Sequence, residues 1–316
     1  MEEKIKLGVS ACLLGDNVRY NGGNCRDHFL TDTLSAYVEW VPVCPEVECG
    51  LGIPRETLRL VGDPEDPRLV TTKTGIDHTE KMRSWAVARL EKLERENLCG
   101  FIFKSKSPSS GWLRVKVYHP NGGSVHQGTG IFAKAFTRRF PRLPVEEEGR
   151  LCDPGLRENF IERIFALRRW RETVEAGMTA GGLVDFHTRN KLLILAHGEK
   201  HYRAMGKLVA QGKTESMEKL YDQYESLFME ALTLQSTVRK NSNVLMHAMG
   251  YFKKQLTSDE KAELLELLDA YRRESIPLIV PVTLINHYVR KYDQPYLKIQ
   301  TYLNPHPLSL RLRNHA

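Results

Sequence analysis

The sequence predicts an α/β N-terminal domain with a mainly parallel, Rossmann-like sheet, followed by an all-α C-terminal domain. Two observations carry the first part. Apolar, β-branched runs at residues 5–9, 40–43 and 99–103 each open into a polar or turn-rich loop. Helix-spaced segments lie between them, and strand–loop–helix alternation implies a parallel sheet. A third observation carries the second part: from Asp185 onwards the apolar spacing is helical and no strand pattern appears.

Taken in order, residues 5–9 form a strand that ends at Ser10-Ala11-Cys12. Residues 19–24, RYNGGN, are a turn-rich loop, and residues 29–37 a short helix. Residues 40–43 form a second strand that delivers Cys44. The stretch after it, CPEVECGLGIPR, reads as a loop carrying Glu46, Glu48 and Cys49. A turn at 71–75 precedes an amphipathic helix over 77–97, with Met82, Trp85, Ala86, Ala88, Leu90 and Leu93 among charges. Residues 99–103 form a third strand that ends in KSKSPSSG at 104–111. Residues 113–119 alternate like an edge strand, and Gly128-Thr129-Gly130 introduces a helix over 131–140. Residues 141–153, PRLPVEEEGRLCD, read as a Pro/Glu-rich connector. Helices follow at 156–177, 192–208, 217–234, 244–252, 264–271 and 281–289. The boundary is placed near residue 175, giving domains 1–175 and 176–316. No internal repeat or low-complexity segment is present.

Ligands of parallel sheets bind beyond the carboxyl ends of the strands. Three predicted strands end at Cys12, at Cys44 and at the loop holding Ser107 and Ser109. These residues can therefore meet at one rim although they are far apart in sequence.

The 316 residues are 41% hydrophobic and 27% charged, which is ordinary globular composition. The acidic N-terminus does not resemble a signal peptide. The longest apolar run, 276–285, is interrupted by Pro277 and Pro281 and is too short to span a bilayer. A soluble cytoplasmic protein is expected, without a membrane partner. Net charge is +7, and from Asn190 onwards 18 Lys and Arg face 13 Asp and Glu. That balance points to a polyanion or to solvated helix faces.

Five of the six cysteines, Cys12, Cys25, Cys44, Cys49 and Cys99, lie in the first hundred residues, and Cys152 follows. Reduced cytosolic thiols in such a group favour metal binding or catalysis over disulfides. Burial as small apolar side chains explains Cys25, Cys99 and Cys152 well. It explains Cys44 and Cys49 poorly, because their loop is rich in carboxylates and glycine. Three thiols are too few for a closed structural zinc site. On an iron–sulfur cube they leave one iron open to a soft sulfur donor.

These residues carry a resemblance. SACLLG at 10–15, RYNGG at 19–23, PVCPEVECGLGIPR at 42–55 and KSKSPSSG at 104–111 resemble the thiouracil/thiouridine desulfidase family. DFHTRNKLLILAH and YLKIQTYLNPHP resemble the YbgA-like helical domain often fused behind it. Together they resemble the tRNA 4-thiouridine desulfidase branch. The resemblance implies a 4Fe–4S cluster held by three cysteines and removal of thiouracil sulfur without redox change. It implies Cys12 and Cys44 as ligands, Glu46 as the acid/base, and a catalytic serine at Ser109, with Ser107 next. Many relatives have cysteine where this chain has Ser110 and lack one at Cys49. We read this as a ligand exchange that makes Cys49 the third ligand, with Cys25 and Cys99 as competitors.

The expected substrate is then tRNA containing 4-thiouridine. Lys104, Lys106, Arg19 and Tyr20 would meet the nucleotide near the site. Arg189, Lys191, Lys200 and Arg203, with Lys207, Arg239 and Lys240, would hold the rest. His187, His197 and His201 lack an HExxH setting and are assigned no metal. Three rivals remain: a desulfidase of free thiouracil or thionucleosides, a cluster-bearing nucleic-acid-binding regulator, and a zinc-stabilised RNA-binding module.

Overall fold

The computed structural model describes residues 4–211 and 215–314. The chain divides into two compact units, Met1–Asp153 and Pro154–Ala316. The helix Pro154–Glu175, placed before the boundary in the sequence reading, clusters with the second unit.

The first unit carries two four-stranded sheets. In one, β1 (Ile5–Ser10), β2 (Val38–Val43), β5 (Phe101–Phe103) and β8 (Val145–Glu147) lie in the order β2-β1-β5-β8 with every pairing parallel. In the other, β3 (Leu58–Val61), β4 (Arg68–Thr71), β6 (Val115–Tyr118) and β7 (Ser124–Gly128) lie in the order β4-β3-β6-β7. Here β3 and β6 are parallel, and the two outer pairings are antiparallel. The main helices are α1 (Pro45–Glu48), α2 (Thr79–Arg95) and α3 (Ile131–Arg139).

The parallel sheet has the buried pattern expected of strands covered on both faces. Leu7, Val9, Phe101, Ile102 and Phe103 are fully buried. Phe101 and Phe103 meet Phe132 and Phe136 of α3 at ring separations of 4.7–6.3 Å. Aromatic pairs of this kind add about 0.5–1.5 kcal/mol each beyond the area they bury. Gly8 is required in β1, because a Cβ there would lie 2.2 Å from the Phe101 ring.

Three features differ from the sequence reading. The strand over 115–118 is interior, between β3 and β7, and not an edge. The stretch over 141–153 is not a plain connector, since it contains β8 with all three residues buried. The predicted helix over 29–37 is a short π turn followed by a 3-10 turn. The first two were illegible for one reason: strands of three or four residues give too few alternations to set a period.

The second unit is helical: α4 (Pro154–Glu175), α5 (Ala180–His197), α6 (Glu199–Ala210), α7 (Met217–Thr233), α8 (Val238–Gly250), α9 (Ser258–Arg272) and α10 (Ile279–Lys291). Gly198 divides the single predicted helix over 192–208 into α5 and α6. Trp170, Phe186, Tyr224 and Phe228 pack in its core, Trp170 stacked on Tyr224 and Phe186 edge-on to Trp170 and Phe228. Beside them lies a buried polar network. Arg313 meets Glu158 at 3.1 Å and Glu162 at 3.3 Å, and Glu162 meets His197 Nε2 at 2.5 Å. Burial alone would raise the Glu162 carboxyl, but His197 and Arg313 outweigh it and hold it at about 2. Among the described residues no helix is long and apolar enough to cross a membrane.

This unit should lose stability in mild acid. Burial, with Lys191 nearby, holds His187 down to about 4, and burial with Arg313 does the same for His306. Unfolded histidine takes its proton near 6.5. Between those values the unfolded chain binds more protons, so stability is complete above pH 6.5 and drains away as pH falls towards 4. Glu162 extends the loss below its unfolded value of 4.5. Thermal melts followed by circular dichroism from pH 7.5 to 4.5 should show the midpoint falling, less steeply in His187→Gln. An unchanged midpoint across that range would refute the assignment.

Candidate active site

Because β1 and β2 run parallel and in register from Ile5↔Val38 to Ser10↔Val43, both strands end at the same rim. A 3-10 turn, Ala11–Leu14, follows β1 and presents Cys12. Cys44 follows β2 and caps α1, its amide held by Glu48 Oε1 at 2.9 Å, with Pro45 at the first helical position. The expected loop after Cys44 is thus one helical turn, and it aims Glu46 back at the rim.

The third arm is the serine loop after β5. Ser107 Oγ accepts from the amides of Ser109 (3.3 Å) and Ser110 (3.1 Å). The carbonyl of Ser109 accepts from Phe132 N at the start of α3. This close seat needs Gly130, where a Cβ would lie 2.6 Å from the Ser109 backbone. Two carboxylates clamp the loop from the end of β8. Glu148 receives the Ser105 amide and hydroxyl at 2.7 Å each and pairs with Lys104. Glu147 Oε1 receives the amides of Trp112 (2.8 Å) and Leu113 (3.1 Å).

A cavity of about 370 Å³ lies where these arms meet. It is lined by Cys12, Cys44, Glu46, Ser107 and Ser109, and also by Arg19, Tyr20, Lys104 and Lys106. The hydroxyls and the carboxylate form a chain: Ser107 Oγ to Ser109 Oγ at 3.0 Å, and Ser109 Oγ donating to Glu46 Oε1 at 2.8 Å. The other Glu46 oxygen is held by Arg55, Nε at 2.8 Å and Nη2 at 2.6 Å. Arg55 also donates to the carbonyls of Val18 (2.9 Å) and Gly52 (3.0 Å). Burial pushes the Cys12 thiol up to about 12, aided by Cys25, and raises the Cys44 thiol. Both thiols are therefore protonated until a metal displaces the protons.

The structure does not bring Cys49 to this cavity. Its side chain sits in an apolar cluster with Leu60, Leu69, Met82 and Ile131, and its thiol turns to the Glu46 carbonyl at 3.4 Å. Cys49 follows Cys44 across one helical turn, so its side chain faces the core of the second sheet. Cys99 pairs with Lys6 through the backbone at the opposite end of β1 from Cys12. Cys25 is half-buried, and its amide donates to the Cys12 carbonyl at 2.9 Å. Among the described residues no preformed group of three Cys, His, Asp or Glu donors stands ready for a metal.

Sequence reasoning assigned no role to Arg55, Glu147 or Glu148. Arg55 stood inside the same motif as Glu46, and a cation close to a proposed acid/base was the available signal. The two glutamates gave none, being hidden in an acidic run that reads as solvated. Arg55→Leu should cost about 3 kcal/mol, because it leaves a largely buried carboxylate without its cation. Urea unfolding measures this, and Arg55→Lys should recover only part, since an ammonium cannot hold the oxygen and two carbonyls as a planar fork does.

In the second unit Arg189 pairs with Asp185 (2.6 Å) and Arg203 with Glu199 (2.5 Å). Lys200 is exposed on α6 and Lys191 half-buried on α5. Lys240 is turned inward onto the carbonyls of His197 and Gln235.

Residues 7–148 match the family model of the 2-thiouracil desulfurases, and residues 191–307 match a model described as a protein of unknown function, DUF1722. The first unit is therefore a 2-thiouracil desulfurase domain. Over 158 residues the chain is 37% identical to the uncharacterized protein YbgA of Escherichia coli (strain K12), covering 50% of this chain and 94% of YbgA. It belongs to the YbgA family, with the desulfurase domain in front. A solved structure described as a [4Fe-4S]-dependent thiouracil desulfidase, TudS, is 31% identical, with a TM-score of 0.39, over 47% of this chain and 94% of that one.

Proposed function

We propose that this chain is an iron–sulfur-dependent, non-redox desulfidase that converts 4-thiouridine in tRNA to uridine and releases sulfide. One observation carries the chemistry: two soft thiols, Cys12 and Cys44, share a base-sized cavity with the Glu46–Ser109–Ser107 chain. This cavity lies within the residues that match the desulfurase family.

Thiols suit iron of a 4Fe–4S cluster, and Cys12 and Cys44 would be two of its ligands. For the third we favour Cys25 over Cys49, since Cys25 already lies against the Cys12 turn while Cys49 is built into the apolar core. When bound, the cluster supplies a Lewis-acidic iron with affinity for sulfur. Glu46 acts as the general base that takes a proton from water as it adds to the thiocarbonyl carbon. Arg55 fixes that carboxylate through one oxygen and leaves the other towards Ser109. Ser109, steadied by Ser107, orients the water or the base. The proton then passes to the departing sulfur, so the balance is thiocarbonyl plus water to carbonyl plus hydrogen sulfide. Lys104 is committed to Glu148 and serves the loop, which leaves Lys106, Arg19 and Tyr20 to meet the nucleotide. Arg189, Lys191, Lys200 and Arg203 would contact tRNA phosphates.

The test is anaerobic reconstitution followed by incubation with thiolated tRNA. Loss of 4-thiouridine with stoichiometric sulfide is the expected result. Release from free thiouracil but not from tRNA would move the assignment to a nucleobase desulfidase. Cluster binding without any sulfide would leave a regulator. Iron content separates the thiols: Cys25→Ser should lose it, and Cys49→Ser should keep it.

A further inference from the structure

A second cavity, of about 1090 Å³, opens against the β4-β3-β6-β7 sheet of the first unit. It shares Thr57, Leu58, Ser105, Lys106 and Pro108 with the catalytic cavity, so the two adjoin. Its wall is cationic. Arg59, Lys106, Arg114, Lys116 and Arg150 line it against one carboxylate, Glu147, which is already taken by two backbone amides. Arg150 is neutralised by Glu146 at 2.6 Å.

The sheet register makes this arrangement costly by itself. Leu60 on β3 pairs with Val117 on β6, so Arg59 and Lys116, one residue earlier on each strand, are lateral neighbours. Like charges side by side on adjacent strands destabilise a sheet. Both cations lean on the Tyr118 ring, at 5.4 Å and 4.6 Å from its centroid. A cationic groove with an aromatic ring in its floor suits a single-stranded polynucleotide, whose phosphates follow the charge and whose bases stack. A free base would need only the smaller cavity.

We propose that this groove binds the sugar–phosphate strand flanking the thiolated base, with Tyr118 as a stacking surface for a neighbouring base. The proposal rests on the desulfidase reading of the adjoining cavity, and it gives the desulfurase unit an RNA contact of its own.

The test uses the reconstituted full chain and its Arg59→Ser/Arg114→Ser/Lys116→Ser variant. The substrates are a stem–loop RNA with one unpaired 4-thiouridine, and free 4-thiouridine. The ratio of kcat/KM for RNA to that for the nucleoside should fall at least tenfold, and the slope of log affinity against log salt should flatten by about 2. An unchanged ratio overturns the proposal, whether both values fall together or neither does. If the triple variant fails to fold, Lys116→Glu is read in the same way. Should the parent release sulfide from neither substrate, the desulfidase reading fails. Fluorescence anisotropy with the unthiolated stem–loop then still reads the groove: binding weakened in the variant supports it, and no binding by the parent overturns it. Displacement of RNA by polyglutamate as readily as by competitor RNA would also overturn it, in favour of an acidic protein partner.

Discussion

Glu46→Gln should lower turnover of a thiolated substrate by about 10²–10⁴-fold, the usual contribution of a positioned acid/base. The iron content should stay at the parental level. The reason lies in the contacts of the side chain. Glutamine has the size of glutamate; with its amide oxygen on the Arg55 donors, its NH2 faces the Ser109 hydroxyl, which can turn to accept, so the rim should keep its shape. What it loses is the capacity to take a proton, and with it the paired charge of Arg55. Single-turnover sulfide release, with iron measured on the same sample, separates the two. A variant of unchanged rate would remove Glu46 from the chemistry, and a variant without iron would make it a structural support of the Cys44 turn.

Cys12→Ala and Cys44→Ala should each bring iron to background after reconstitution and abolish sulfide release. The two side chains come from neighbouring parallel strands and are the thiols that line the cavity. Removing either leaves too few thiolates to hold a cube. The fold should survive, because both lie in turns beyond the strands, and neither is among the buried residues of the core. Unfolding midpoints of the apo variants close to that of the apo parent, together with lost iron, are the expected pair of results. Full iron in either variant would mean that the ligands lie elsewhere.

The parallel sheet was legible because each long strand is a compact apolar run that hands over to a loop of different chemistry. Ile5–Ser10 and Val38–Val43 are both of this kind. The helical half was legible for the same reason, its apolar period being sustained over many turns. The second sheet was largely hidden. Its strands have four or five residues, and Leu58–Val61 and Arg68–Thr71 follow a stretch of glycine and proline that reads as loop.

The sequence by itself determined which residue types this protein has to work with. Thiols follow two apolar strands, a glutamate follows Cys44-Pro45, and serines surround Pro108. Strand ends converge whenever parallel strands share a sheet, so the meeting of Cys12, Cys44 and the loop holding Ser107 and Ser109 could be read from order alone. Only the tertiary structure decided which neighbours face the rim and which face away. One turn of α1 sends Glu46 outward and Cys49 into the apolar cluster, a matter of helical angle that sequence distance cannot resolve. It likewise brought Arg55 onto Glu46, and Glu147 and Glu148 at the end of β8 onto the serine loop. Those contacts join residues that are up to 44 positions apart, and no local period records them.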